Sequence, residues 1–149
     1  MVGCRGNRIT ERHDIVYRED PGAGPAAQPA AAVPWAAERV WTITPDPVLL
    51  FRYSALTFNG HRIHYDFPYA TGVEGYGGLV VHGPLQATWM LNLAADLLGR
   101  LPARFSYRGL SPLTCGQPVR IEARNEAAGI ALRVITQGGV ATMQASATP

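Results

Sequence analysis

Long apolar runs are missing from this sequence. No stretch approaches the ~20 residues that a helix needs to cross a bilayer, so a membrane-spanning reading has no support. Charge is scarce as well: Asp, Glu, Lys and Arg make up 16% of the 149 residues and leave a net charge of +2. They form no basic cluster, which removes the usual electrostatic footprint of a nucleic-acid-binding protein. Only two cysteines occur, Cys4 and Cys115, and they fit neither a metal spacing nor a redox pair. A reduced, intracellular setting is the expectation. Met1 to Asp14 is polar and charged, which argues against a signal peptide and for a cytoplasmic location. What is plentiful is apolar material, 47% of the chain. That suffices for one domain with a real core and is too much for a disordered protein.

The chain divides near residue 35. A strand is expected at Ile15 to Tyr17, followed from Asp20 to Pro34 by a segment of Pro, Gly and Ala that behaves as a semi-extended linker. Residues 1–34 therefore read as a strand and a tether, and 35–149 as the compact domain. Val40 to Thr44 suits a first strand. Asp46 and Pro47 then give an N-cap and a first helical residue, opening a short helix that runs towards Leu56. Thr71 to Leu79 carries four glycines and reads as a loop. From Pro84 to Gly99 the pattern is a helix whose polar residues Thr88, Asn92 and Asp96 form one narrow stripe. A helix so apolar needs protein around it. Alternation over 104–110, 119–124, 130–136 and 140–146 supplies strands, the last three as an antiparallel meander. The pattern alone gives an α+β fold.

One ten-residue stretch stands apart, Thr57-Phe58-Asn59-Gly60-His61-Arg62-Ile63-His64-Tyr65-Asp66. An amide, two imidazoles, a guanidinium, a phenol and a carboxylate are costly to hold together unless solvated, mutually bonded or used for chemistry. It is the candidate active site. Read by residue type, His61, His64 and Asp66 would also serve as metal ligands, although no metal is expected. Ser54 and Ser106 lack the nucleophile-elbow pattern of serine hydrolases.

Phe58 to Asp66, followed by Val81-His82-Gly83, resembles the hydratase motif of the MaoC-like hotdog proteins. With Phe51-Arg52-Tyr53-Ser54-Ala55-Leu56-Thr57 ahead of it, the stretch is similar to the type 2 hydroxyacyl-thioester dehydratases, which include the mesaconyl-CoA and itaconyl-CoA hydratases. The likeness runs from about Trp35 to the C-terminus and is most specific over residues 51–83. Glu11 to Glu19 is similar to the segment joining two hotdog halves in longer relatives, so residues 1–34 would be the remnant of a first half. The resemblance implies a hotdog fold, an antiparallel sheet wrapped around one long central helix.

It also implies roles. In the MaoC-like pattern an Asp precedes the catalytic His by five residues and an Asn precedes it by three. Here His64 matches the His, Asn59 stands at the Asp position and His61 at the Asn position. An Asn exchanges no proton at neutral pH. His64 would then act as base and acid in turn, with Asn59 orienting water. The Gly83 N–H, at the start of the central helix, would face the thioester oxygen. Arg62 would bind a substrate carboxylate or the carrier's phosphates. His61 would support the site, His82 would cap or pack at the helix start, and Tyr65 and Asp66 would fix the loop. The implied activity is reversible hydration of a 2-enoyl thioester on CoA or an acyl carrier protein, with a mesaconyl-like C4–C5 dicarboxylic acyl group as one candidate. No cofactor is implied beyond that carrier. A homodimer, or a heterodimer with another hotdog subunit, is the expected assembly. A hotdog thioesterase and a non-catalytic acyl-thioester-binding subunit are the alternatives.

Overall fold

The computed structural model describes residues 8–15 and 32–149. Ile15 has no strand around it; Val16 and Tyr17, like the linker up to Ala31, lie outside the described residues. The ordered elements begin with β1 (Arg39–Ile43) and α1 (Pro47–Thr57), then a 3-10 turn (Arg62–His64) and the short α2 (Phe67–Gly72). The long α3 (Gly83–Leu98) follows, and then β2 (Arg104–Gly109), β3 (Val119–Glu126), β4 (Gly129–Thr136) and β5 (Ala141–Thr148).

The strands form one antiparallel sheet in the order β1-β3-β4-β5-β2. Alternation decides its faces. In β3 and β4, Val119, Ile121, Ala123, Ile130, Leu132 and Val134 turn inward and are buried. The inner face meets α3, whose Leu85, Trp89, Met90 and Leu93 are 8% exposed or less. Each such side chain contributes about 1.5–3 kcal/mol by leaving water. Gly129, at the β3–β4 turn, has φ +145 and a backbone so close to Ala147 that a Cβ would collide with its carbonyl. Only glycine fits there.

The helix ends follow the expected chemistry. Asp46 accepts from the Leu49 N–H at 2.7 Å with Pro47 behind it, and Gly99 closes α3 in the left-handed region. Thr88, Asn92 and Asp96 do form one exposed stripe, where Asp96 pairs with Arg39 at 3.2 Å. The stripe is what the sheet leaves uncovered. Gln86, by contrast, is buried and accepts from the Thr142 hydroxyl of β5 at 2.7 Å. No helix among the described residues is long and apolar enough to cross a membrane.

The outer face of the sheet carries a polar cluster. Glu122 is 5% exposed; its carboxylate accepts from Arg133 at 2.8 Å and from the Trp35 indole at 2.9 Å, and it forms an ion pair with Arg120 at 3.0 Å. Arg133 and Arg124 lie over the Trp35 ring at 4.4 and 4.2 Å. Residues 33–35 are thereby pinned across the sheet, and Arg133 also donates to the Val33 carbonyl at 2.7 Å.

Candidate active site

The polar stretch is built by caps and tight turns. At the end of α1 the chain reverses through Phe58, a non-glycine residue with φ 55. The Phe58 and Asn59 N–H groups return to the Ala55 and Ser54 carbonyls at 3.4 and 2.9 Å. Left-handed backbone costs a bulky residue energy. Phe58 is nonetheless 96% exposed and recovers nothing by burial within the chain. The Asn59 side chain then accepts from the His61 N–H at 3.0 Å, closing an Asx turn. Its Oδ1 is engaged, which leaves the Nδ2 hydrogens to face outward as donors. The Tyr65 hydroxyl donates to the Gly60 carbonyl at 2.8 Å and closes the loop from the other side. Asp66 caps α2 through the Tyr69 N–H at 3.1 Å, with Pro68 in the first turn. The same Asp-then-Pro signal that announces α1 stands at Asp66–Pro68 with one residue between, and the sequence reading passed over it as loop.

The 3-10 turn sets His64 into the protein. The Val80 N–H donates to the Ile63 carbonyl at 3.0 Å, and Val80 returns its own carbonyl to His64 Nδ1 at 2.7 Å. A carbonyl only accepts, so Nδ1 carries the proton and neutral His64 has a bare lone pair on Nε2. That nitrogen has no hydrogen-bond partner among the described residues. His64 is 7% exposed, and burial lowers its pKa below the usual histidine value; the Val80 bond opposes this and His61 adds to it.

Two further imidazoles meet this ring. His61, exposed, stands edge-on to it with centroids 5.6 Å apart. His82 lies flat against its face, with centroids 3.6 Å apart and planes 18° from parallel. Although His82 occupies the N-cap position of α3, its side chain makes no cap bond. Its Nε2 instead pairs with the buried Ser54 hydroxyl at 2.8 Å, and its Nδ1 is buried with no partner. Desolvation depresses the His82 pKa to about 4, with neighbouring His64 adding to the effect, so the ring is neutral near pH 7. Beside it, the Gly83 N–H finds no acceptor among the described residues. A free donor at the N-terminus of a sixteen-residue helix favours a partial negative charge.

Arg62 is tied locally. Its Nε and Nη2 both donate to Asp66 Oδ2, at 3.0 and 2.7 Å, and its guanidinium lies 4.0 Å from the Tyr69 ring centroid. The arginine holds the Asp66 carboxyl below the ordinary range. In this arrangement Arg62 braces the turn to α2 while its side chain stays 55% exposed. Asp66, committed to Arg62 and Tyr69, does not converge with His61 and His64. Among the described residues no three His, Cys, Asp or Glu side chains are grouped to hold a metal.

A cleft of about 310 Å³ opens at the end of α1, lined by Phe51, Ser54, Ala55, Phe58, Asn59 and Tyr65. It is apolar apart from Asn59 and the two hydroxyls. Phe51 and Phe58 were not anticipated as site residues; their only sequence signal is a bulky ring where an amphipathic helix shows one to solvent. A larger groove of about 770 Å³ lies on the sheet's outer face, among Trp35, Arg108, Arg124 and Gln144, opposite the face that packs on α3.

The family model for hydroxyacyl-thioester dehydratase type 2 matches residues 2–115, more than half of the chain and all of the histidine-bearing segment. The chain belongs to this family. Among curated relatives it is similar to the mesaconyl-C(4)-CoA hydratase of Chloroflexus aurantiacus. The two are 46% identical over 138 residues, covering 93% of this chain and 49% of that protein. The mitochondrial hydroxyacyl-thioester dehydratase type 2 of Schizosaccharomyces pombe is 45% identical over 84 residues, 54% of this chain and 28% of that one. The chain thus spans about half the length, or less, of these curated relatives. The fold neighbours are hotdog proteins. The R-hydratase PhaJ1 from Pseudomonas aeruginosa superimposes with a TM-score of 0.64 at 19% identity, over 73% of this chain and 76% of that one. The ChsH1-ChsH2 complex from Mycobacterium tuberculosis gives 0.62 at 15% identity, over 75% and 92%. The fold of this family member is therefore the hotdog, with α3 as the central helix.

Proposed function

We propose that the chain catalyses reversible hydration of a 2-enoyl thioester carried on CoA or an acyl carrier protein. His64 is the acid/base group. The observation that carries this is the tautomer: Val80 holds the His64 proton on Nδ1, so Nε2 is a bare base beside a free helix N-terminus. In the hydration direction Nε2 takes a proton from water as the water oxygen bonds to C3. The electron pair of the C2–C3 bond moves towards the thioester oxygen, which the Gly83 N–H stabilises. The imidazolium then returns the proton to C2, and one water has added across the double bond. Kinship with a mesaconyl-C(4)-CoA hydratase supports a C4–C5 dicarboxylic acyl group as the first substrate to test. A panel of enoyl thioesters, followed for both 3-hydroxyacyl product and free thiol, tests the reading. Thiol release without hydration would instead identify a thioesterase.

Asn59 directs the water or the acyl group through its Nδ2 hydrogens and moves no proton of its own. Asn59→Ala should therefore cost what a hydrogen bond to a developing charge is worth, ~1.5–3 kcal/mol or about 10- to 150-fold in rate. Asn59→Asp should bring no gain. Its carboxylate would repel the electron-rich thioester oxygen and hold a proton on His64. A tenfold gain for the Asp variant at pH 7 would show that the site works with two proton-exchanging groups.

We further infer that the chain works as a pair of hotdog units, with itself or with another subunit. Among the described residues β2, at one end of the sheet, is paired only to β5, and five of its six residues are exposed. An open edge of this kind invites pairing. Multi-angle light scattering should give the mass of a dimer at micromolar concentration, and a fully active monomer would defeat the inference.

A further inference from the structure

His82 is a buried titratable group that the reaction above does not use. It is 1% exposed, its Nδ1 has no partner, and it spends its one hydrogen bond on Ser54. A histidine at this position is an expensive way to fill space, because an apolar ring would leave no polar atom unpaired. Its placement suggests what it does instead. The ring covers one whole face of His64 at stacking distance. It cannot tilt freely, since Ser54 holds Nε2 from α1 and Tyr53 meets it edge-on with centroids 4.8 Å apart. Three separate elements, α1, the 3-10 turn and the start of α3, are brought to one stack of rings.

Resting on the proton-transfer role of His64 given above, we propose that His82 is a positioning residue, a neutral shelf that fixes the plane of the His64 ring and keeps water off its inner face. Between Val80 at Nδ1 and His82 across the face, the His64 ring has lost both rotation and tilt. Its Nε2 lone pair then points in one direction, which is what a group that takes and returns one proton needs. The shelf also acts on charge. An imidazolium formed on His64 finds a dry ring on one side instead of water, so it gives its proton up readily. The titratable groups that face the pair are His61 from the 3-10 turn and Tyr53 from α1; no Asp, Glu or Arg side chain bonds either ring among the described residues. The Ser54 bond explains why the shelf is a histidine: it gives the ring a tether that phenylalanine lacks.

The test uses the full chain and two variants, His82→Ala and His82→Phe, with two readouts. One is the titration of His64 by imidazole ¹H–¹⁵N NMR, and the other is kcat and KM for hydration of one enoyl thioester. In His82→Ala, water reaches the His64 face and the ring tilts. Its titration midpoint should rise towards the free-histidine value. The kcat should fall by about 10- to 100-fold, with KM within about twofold. His82→Phe keeps a ring on His64 and loses only the tether, so the midpoint should stay near the wild-type one and most of kcat should return. A folded Ala variant with wild-type midpoint and kcat overturns the proposal. So does a folded Phe variant whose kcat falls tenfold or more, and this second result decides the matter even where the Ala variant does not fold. The NMR arm needs no turnover. A shifted midpoint in a chain that hydrates no thioester would sink the reading of the reaction and leave the shelf standing.

Discussion

Replacing His64 by Ala is expected to slow hydration by about 10²–10⁴-fold, the usual worth of a positioned acid/base group, and to leave the fold intact. The size follows from the division of labour in the site. Asn59 has its oxygen tied to the His61 N–H, and an amide exchanges no proton near neutrality. His82 is buried against Ser54, and Arg62 is tied to Asp66. Among the described residues His64 is the histidine whose tautomer a backbone carbonyl fixes, leaving Nε2 bare. The fold should survive because the lost contacts are few, the Val80 bond and the stack on His82. Circular dichroism and the unfolding midpoint check this before kinetics are read. The pH profile gives a second, independent sign. His64 works as base only when neutral, and its pKa lies below the ordinary 6.5. Hydration should therefore persist as pH falls past 6.5 and disappear only as pH passes through the lowered value. An Ala variant with near-full kcat on a thioester that the wild type hydrates would refute the assignment.

How much of this was legible in the sequence depends on how local each signal is. The cap of α1 at Asp46, the closing Gly99 of α3 and the period-two strands are decided within a few residues, and all stand where their spacing put them. The Thr57-to-Asp66 stretch stands out by its chemistry as the candidate site. Its shape was not legible, because a 3-10 turn and the six-residue α2 have too few residues for periodicity to show. The resemblance named His64 and His82 together, but nothing in an 18-residue separation announces two stacked rings. Arg62 illustrates the limit from the other side. A guanidinium beside a candidate site reads as a substrate anchor, and the spacing alone does not announce that Asp66, four residues on, accepts from its Nε and Nη2. Glu122 was hidden by its own pattern. In Val119-Arg120-Ile121-Glu122-Ala123-Arg124 the charged positions read as the solvent side, and what covers them comes from Trp35, 87 residues earlier.

That covered carboxylate carries the largest stability effect expected outside the site. Glu122→Ala should destabilise the chain by about 3–5 kcal/mol, the cost of removing one partner from a buried ion pair. Arg133 and the Trp35 indole lose their acceptor, and Arg120 loses its ion-pair partner. The arginines do not share the loss equally. The Arg120 side chain is 55% exposed and returns to water at little cost, whereas Arg133 is 13% exposed and is held under Trp35. A charge that stays buried without its partner is what makes the change expensive. Domains of this size are stable by about 5–15 kcal/mol, so the variant should be much closer to unfolding at room temperature. Urea titration reads the effect as a lower midpoint with an unchanged slope. Glu122→Gln keeps an acceptor for the indole and one arginine and should fall between the two. The replacement lies on the outer face of the sheet and His64 lies beyond the inner one. Under conditions where the variant remains folded, kcat should therefore equal the wild-type value. A loss of less than about 1 kcal/mol, the range of an exposed pair, would mean that residues 33–35 do not stay seated over the sheet and that water reaches the cluster.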